Sequence, residues 1–148
     1  MSQCAICDRL ELLAHYADSS MVYEFPNSYL VLGSHQYFPG YCVLLYKQHV
    51  RELHELTPEL QAALNEELMM ATTAIVKAFN PWKVNHACLG NQDQHIHWHI
   101  IPRYETEADH QKHPWLHADE FPNWLIPPQK QQEVIALLRI QLQAITTR

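Results

Sequence analysis

The longest periodic pattern of apolar residues predicts a helix over residues 58–79. Apolar side chains recur there every three or four positions, which places them on one helix face; they are Leu60, Leu64, Leu68, Ala71 and Ile75. Thr57 can cap this helix, and Pro58 suits its first position, where the backbone N–H has no helical partner. Asn80 and Pro81 are expected to end it.

Two shorter patterns of the same period predict helices near the two ends of the chain. Residues 8–17 place Leu10, Leu13 and Ala14 on one side, and residues 129–145 place Val134, Leu137, Leu138, Leu142 and Ile145 on one side. Between residues 105 and 128 the sequence has four Pro and three His with little periodicity, which predicts a long ordered loop or arm.

Several short segments rich in β-branched and aromatic residues predict strands. They cover residues 22–25, 29–32, 41–46, 82–87 and 94–104, with turn residues between them and a loop around Gly90. Strands, then a helix, then more strands indicate an α+β domain with a mostly antiparallel sheet, one long helix and a C-terminal helix. We assign residues 1–104 to the domain core and residues 105–148 to an arm and helix of the same domain.

Composition narrows the class of protein. A chain of 148 residues with 47% hydrophobic and 18% charged residues predicts one folded domain. Ten basic and sixteen acidic residues give a formal charge of −6, which disfavours binding to a nucleic acid polymer. No apolar run is long enough to span a bilayer and the N-terminus does not resemble a leader peptide, so we expect a cytoplasmic protein that does not bind membranes.

The eleven histidines are unusual, and three of them follow a strand pattern. Side chains alternate along a strand, so His95, His97 and His99 share one face, and the apolar residues between them share the other. A neutral imidazole can attack phosphorus, and a second imidazole can supply a proton or stabilise charge. A single metal ion is a poorer fit, because the outer two histidines would lie about 13 Å apart at ~3.3 Å per residue. An exposed strand with chance histidines is the plain alternative.

The segment His95-Ile96-His97-Trp98-His99-Ile100-Ile101 resembles the signature of the histidine triad (HIT) family. Other segments also resemble this family; they are Phe38-Pro39-Gly40, Lys47-Gln48-His49-Val50, Leu56-Thr57-Pro58, Leu89-Gly90-Asn91 and Pro102-Arg103-Tyr104. The similarity covers about residues 4–104 and is strongest to bacterial members described as diadenosine-polyphosphate hydrolases. The resemblance implies a HIT-like fold.

The resemblance also implies roles for single residues. His97 would attack the α-phosphate of a nucleotide and become nucleotidylated, and His99 would hydrogen-bond the phosphate oxygens. His95 would order the row of histidines or serve a metal site. Asn91 matches an amide near the phosphate, and Asn85 matches a second polar contact.

Three positions depart from the family pattern. Gln92 stands where many members have a Ser or Thr that assists the leaving group, and we place it among the substrate contacts. Gly33 occupies the position of a polar ribose contact, and Tyr41 follows Pro39-Gly40 where His is usual. These departures leave the chemical step intact but change what is expected of substrate choice and turnover.

Cys4 and Cys7 have the spacing of half a zinc site, and a redox dithiol or two free packed thiols are the alternatives. Some relatives of the HIT family complete such a site with histidines at the positions of His49 and His95. The resemblance therefore implies a structural zinc ion held by Cys4, Cys7, His49 and His95.

Taken together, the sequence predicts an enzyme that hydrolyses or transfers nucleotides, acting on a dinucleoside polyphosphate or a nucleoside phosphoramidate. A nucleotide-binding protein with little catalysis and a metal-binding protein are the two alternatives. Members of the family are usually homodimers, which we also expect here. For the arm over residues 105–128, packing against the body or a partner subunit is favoured over a lid on the substrate.

Overall fold

The computed structural model describes residues 4–147. Helix α1 spans Ala5–Ala14, so it begins three residues before the predicted start. The reason is a cap that the apolar pattern does not reveal, because the Cys4 Sγ accepts the backbone N–H of Cys7. Tyr16 adopts a left-handed φ of 54° just past the helix, which keeps the helix from reaching residue 17.

Five strands form one antiparallel sheet in the order β1-β2-β3-β5-β4, which confirms the predicted α+β class. The strands are β1 (Met21–Glu24), β2 (Ser28–Leu32), β3 (Cys42–Tyr46), β4 (Lys83–Ala87) and β5 (His97–Arg103). Strand β5 lies between β3 and β4, so its backbone is hydrogen-bonded on both sides. The histidine-rich segment therefore sits in the interior of the sheet.

The predicted strand over residues 94–104 begins only at His97, and the ring of His95 explains the difference. In a continued ladder the carbonyl of Tyr46 would accept the N–H of Ile96. Instead that carbonyl accepts the Nε2–H of His95 at 2.7 Å, while the N–H of Ile96 bonds the carbonyl of Val50. The side chain of His95 thus takes the place of a ladder hydrogen bond, and the strand starts at His97, three residues after the predicted start.

Helices α2 (Pro58–Phe79) and α3 (Pro128–Thr146) pack on one face of the sheet, and α1 packs on the other. The alternation of side chains along β2 shows this division, since Leu30 and Leu32 face α2 and α3 while Tyr29 and Val31 face α1. None of the described helices combines the length and the apolar composition that a membrane span requires.

The apolar face of β5 joins the core beneath α2, and the opposite face carries the histidines. Ile100 is fully buried in the cluster that includes α2 and α3, and Trp98 packs against it. His97 and His99 point to the other side, where Ile101 packs against Phe38 and Tyr41. The alternation of side chains along β5 thus places two imidazoles on the face of the sheet that α2 and α3 do not cover.

The arm, here residues 105–127, is fixed to the sheet by a buried arginine. Arg103 is 3% exposed. Its guanidinium donates to Glu107 Oε1, to Asn85 Oδ1 and to the carbonyl of Lys112. Beyond these bonds the arm forms a 3-10 turn over Ala118–Trp124 and returns to α3.

Candidate active site and metal centre

A cavity of about 490 Å³ opens above the histidine face of β5. Its walls come from the loop before β5, from the segment around β3 and from the arm; the lining residues are His35, Tyr41, Leu89, Gly90, Asn91, Gln92, Asp93, His97, His99, Trp115, Ala118 and Phe121. Both polar and aromatic side chains face the same space, which is typical of a site for a small ligand.

The tautomer of His97 follows from its hydrogen bond to the backbone. Its Nδ1 lies 2.6 Å from the carbonyl oxygen of His95. A carbonyl can only accept, so Nδ1 carries the proton and, in the neutral ring, Nε2 carries the lone pair. The chain thus holds a nucleophilic nitrogen on a half-buried ring that lines the cavity.

His99 lies next to His97, with the two ring centroids 5.2 Å apart. Its Nδ1 is 2.6 Å from the hydroxyl of Tyr41, and the ring of Trp115 stands edge-on to it at 5.4 Å. Burial, together with the weaker effect of charge on His97 and His35, lowers the pKa of His99 to about 4. His99 is therefore a neutral ring at pH 7 and can act there as a hydrogen-bond donor or acceptor.

The side chain of His95 is separate from this pair. It is fully buried and lies with Cys4, Cys7 and His49, whose candidate ligand atoms all lie within 4.8 Å of one another. Because the Nε2–H of His95 donates to the carbonyl of Tyr46, the neutral ring presents its Nδ1 lone pair to the two sulfurs. The three triad histidines therefore divide, with two rings at the cavity and one at the Cys/His cluster.

The geometry of this cluster fits a tetrahedral ion. The Nδ1 of His95 is 3.6 Å from both sulfurs, and the Nδ1 of His49 is 3.3 Å from the sulfur of Cys7. With Zn–S near ~2.3 Å and Zn–N near ~2.05 Å, a tetrahedral site separates S and N by about 3.5 Å. Burial and the adjacent Cys4 raise the pKa of the Cys7 thiol to about 11, and a cation between the sulfurs would favour the thiolates instead.

The predicted substrate contacts do not all reach the cavity. Asn91 and Gln92 lie on its rim and are exposed. Asn85 lies on β4, where its Oδ1 accepts from Arg103 at 2.8 Å, and it is not among the lining residues. Its position therefore indicates that it holds Arg103 and the base of the arm.

Besides Trp115, three aromatic rings of the cavity wall lie outside the set of site residues predicted from sequence. They are His35, Tyr41 and Phe121, and they stack in a row, with His35 4.0 Å from Phe121 and 4.8 Å from Tyr41 between ring centroids. Phe121 belongs to the arm, so only the fold brings it to His35. The sequence does carry one indication, since Tyr41 and Gly33 both depart from the HIT pattern.

Comparisons with known proteins agree with this architecture. A family model described as the HIT domain matches residues 15–106. "Protein hit" of Bacillus subtilis is 29% identical over 126 residues, covering 80% of this chain and 83% of that protein. Adenylylsulfatase HINT3 of Arabidopsis thaliana is 28% identical over 112 residues, covering 72% of this chain, and the chain spans 55% of that protein's length.

Solved structures share the fold at low sequence identity. A histidine triad protein from Marinobacter aquaeolei has a TM-score of 0.77 at 24% identity, with 97% of this chain and 98% of that chain covered. A zinc-bound histidine triad family protein from Mycobacterium smegmatis scores 0.69 at 20% identity, with 95% and 96% covered. Diadenosine triphosphate hydrolase from Plasmodium falciparum scores 0.64 at 17% identity, with 86% and 78% covered. From the triad strand, the matched domain and the shared fold we conclude that this chain belongs to the HIT family.

Proposed function

We propose that this chain is a nucleotide hydrolase or transferase that acts at an α-phosphate through a covalent nucleotidyl-His97 intermediate. One observation carries the proposal. His97 donates its Nδ1–H to the carbonyl of His95 at 2.6 Å, which leaves the Nε2 lone pair for the cavity. A nucleophile with one nitrogen fixed and the other free is what transfer through a covalent intermediate requires.

In the first step, Nε2 of His97 forms a bond to the α-phosphorus as the bond from phosphorus to the leaving group breaks. The leaving group departs with the bonding electron pair. In the second step, water attacks the same phosphorus and gives up a proton to solvent, the P–N bond breaks with its electron pair returning to Nε2, and a nucleoside monophosphate and neutral His97 result. His99, the neutral neighbour, hydrogen-bonds the phosphate oxygens on which charge accumulates.

Asn91 and Gln92 occupy the rim from which a leaving group would depart. Their amides can donate hydrogen bonds to phosphate oxygens, but an amide has no titratable proton to transfer. This favours leaving groups that need little protonation, such as the phosphate chain of a dinucleoside polyphosphate. A phosphoramidate, whose amine leaves with a proton, is expected to be the slower substrate.

The names of two related proteins support the substrate class. The Arabidopsis relative is an adenylylsulfatase, and the Plasmodium protein is a diadenosine triphosphate hydrolase. Both names describe cleavage of a bond to a nucleotide phosphate. We propose that this chain cleaves the same class of linkage. Assays with different nucleotides would identify the base and the leaving group of its substrate.

We also propose a structural zinc ion at Cys4, Cys7, His49 and His95. The zinc-bound relative from Mycobacterium smegmatis supports the proposal, as do the ligand separations in this chain. All four coordination positions are supplied by the protein, so no position is left for substrate. The ion would hold α1 against the start of β5.

A homodimer is the proposed assembly, and an apolar groove between α2 and β5 supports it. The groove has a volume of about 480 Å³ and is lined by Leu53, Leu64, Leu68 and Trp98, together with the polar side chains of His54, Gln61 and Asn65. Light scattering after gel filtration gives the mass directly. Mass equal to one chain at micromolar concentration would contradict the dimer.

The proposed function is tested by following the covalent intermediate. Purified protein is mixed with diadenosine triphosphate, adenylyl sulfate or an adenosine phosphoramidate, quenched within milliseconds and examined by mass spectrometry. We expect an adduct of one adenylyl group on the peptide that contains His97, absent from His97→Ala and retained in His86→Ala. His86 is a suitable control because it is a histidine on β4 that bonds Thr72 and does not line the cavity. Binding of nucleotide without turnover or adduct would favour the alternative of a binding protein.

A further inference from the structure

Two positions that depart from the HIT pattern, Gly33 and Tyr41, contact each other. The N–H of Gly33 donates to the carbonyl of Tyr41 at 2.9 Å, which places the two residues side by side at the ends of β2 and β3. A Cβ at position 33 would overlap Cδ1 and Cε1 of the Tyr41 ring. Position 33 therefore requires glycine, because the ring of Tyr41 fills the space that a side chain there would occupy.

Packing on its other sides holds the ring of Tyr41 in this place. The side chain is 7% exposed and belongs to a cluster with Phe38 and Ile101. His35 stacks on it at 4.8 Å with an angle of 27° between the ring planes. Phe121 then backs His35 from the arm at 4.0 Å. From this position the hydroxyl reaches Nδ1 of His99 at 2.6 Å.

The direction of this hydrogen bond follows from what each atom needs. Among residues 4–147, the buried hydroxyl of Tyr41 has one hydrogen-bond partner, which is Nδ1 of His99. If the phenol donates, its proton is satisfied and the lone pair of Nδ1 is used. If His99 donated instead, the phenolic proton would be left without an acceptor in a buried place, at a cost of about 1–3 kcal/mol.

We propose that Tyr41 is a positioning residue for His99: its O–H donates to Nδ1, holds the ring proton on Nε2, and does so because Gly33 leaves room for the ring. The inference rests on the proposed function and deepens it. In this tautomer the nitrogen of His99 that is not bonded to Tyr41 is a donor, which suits the oxygens of a phosphate. The opposite tautomer would turn a lone pair toward those oxygens and repel them.

The two departures thus compensate for one another. A side chain larger than glycine at position 33 would push the phenol away from His99, and a smaller ring at position 41 would leave the space empty. Gly33 and Tyr41 form a coupled pair, and changes at the two positions are expected to be non-additive.

The first experiment reads the tautomer of His99 without substrate. Long-range ¹H–¹⁵N spectra of the metal-loaded protein distinguish a protonated Nε2 from a protonated Nδ1, and the His99→Gln variant assigns the signal. We expect the proton on Nε2 in the native chain, and a mixture of tautomers in Tyr41→Phe. Tyr41→Phe keeps the ring and its packing, so the fold is retained. A native ring protonated on Nδ1, or an unchanged tautomer in Tyr41→Phe, would overturn the proposal.

The second experiment measures turnover of the substrate that reacts fastest. Tyr41→Phe is expected to lower kcat about tenfold with KM changed less than threefold, a smaller loss than the roughly 10²–10³ for removing a transition-state donor outright. Tyr37→Phe is the matched control, because its ring packs on Phe121 but does not bond the triad. Equal kcat in Tyr41→Phe and the native chain would overturn the positioning role.

The third experiment tests the coupling. Gly33→Ala should reproduce the loss of kcat seen in Tyr41→Phe, and the double variant should be no slower than Gly33→Ala alone. Losses of kcat that multiply in the double variant would show that the two positions act independently, against the proposal.

The spectra of the first experiment also separate this inference from the proposed function, because they need no substrate. The expected tautomers in a chain that turns over no nucleotide would support the positioning role and refute the enzyme.

Discussion

The nucleophile candidate His97 is oriented by the backbone of His95, a residue whose side chain belongs to a different site. Nδ1 of His97 donates to the carbonyl oxygen of His95 at 2.6 Å, while the ring of His95 faces the sulfurs of Cys4 and Cys7 at 3.6 Å. One residue therefore connects the cavity to the Cys/His cluster.

Removal of the nucleophile should separate chemistry from binding. His97→Ala is expected to abolish turnover and to leave nucleotide affinity within about tenfold, because a nucleophile acts mainly in the chemical step. His99→Ala should slow the reaction by a smaller factor. Steady-state kinetics and calorimetric titration of a nucleoside monophosphate measure the two effects. Near-native turnover in His97→Ala would contradict the covalent mechanism.

Removal of the metal ligands should cost stability rather than substrate affinity. Elemental analysis is expected to find about one zinc ion per chain, and Cys4→Ser should release it and lower the melting temperature. Serine still caps α1 at this position, so the loss reports the metal rather than the cap. Cys88→Ser, at an exposed thiol outside the cluster, should change neither value. Metal-free protein of undiminished stability would contradict the site.

The pKa of His99 predicts a loss of stability in mild acid. Its folded pKa is about 4 against 6.5 in the unfolded chain, mainly because of burial and further because His97 and His35 face the same ring. Between those values the unfolded chain binds more protons, so stability falls as the pH drops through this window. Above pH 6.5 the stability is at its full value. Urea unfolding at pH 7 and pH 5 should show a smaller difference for His99→Gln than for the native chain.

Substitution of the buried Arg103, which lies beneath the arm, should lower the free energy of unfolding more than most single substitutions. Arg103→Ala removes the partner of Glu107 and Asn85 and is expected to destabilise the fold by about 3 kcal/mol, because it leaves the largely buried carboxylate of Glu107 without its ion-pair partner. Lys130→Ala breaks an exposed pair with Glu133 and should cost less than ~0.5 kcal/mol. Equilibrium unfolding in urea measures both. Arg103→Ala should also expose the arm to limited proteolysis, and equal costs for the two variants would contradict the anchoring role.

Trp115 tests whether the arm contacts substrate as well as the body of the protein. It packs in the cluster with Phe38 and Tyr41, and it also lines the cavity. Trp115→Ala should therefore lower the melting temperature and raise KM. Trp124→Ala, whose ring is 52% exposed and outside the cavity lining, is the control for losing an indole from the arm. A lower melting temperature with unchanged KM would restrict the arm to packing.

The sequence predicted those parts of the fold that local patterns encode. Helix α2 begins and ends as its cap and apolar period indicate, at Pro58 and Phe79. The predicted start of β5 was wrong because the ring of His95 donates to the carbonyl of Tyr46. A side-chain hydrogen bond of that kind leaves no trace in strand periodicity. The side chain of His95 does lie with Cys4, Cys7 and His49, as the family resemblance implied.

The site could be predicted only in part. The triad strand and the four cysteine and histidine positions of the cluster were identified from motifs, and the structure brings those four side chains together. Asn85 was expected near substrate but lies against Arg103. The aromatic wall could not be predicted, since Phe121 reaches His35 from a segment with no periodicity. Contacts of that kind depend on the path of the arm, which Arg103 fixes from within the sheet.

The Cys/His cluster also has a consequence for the order in which the molecule can open. It joins Cys4 to His95, so an ion held there would close a loop of about ninety residues and remove much of the conformational entropy of the unfolded chain. With the ion in place, α1 could not fray without breaking a coordination bond near the first residue of β5. We expect amide hydrogens of α1 and of β5 to exchange as one cooperative unit when metal is bound, and α1 to exchange much faster once a chelator removes it.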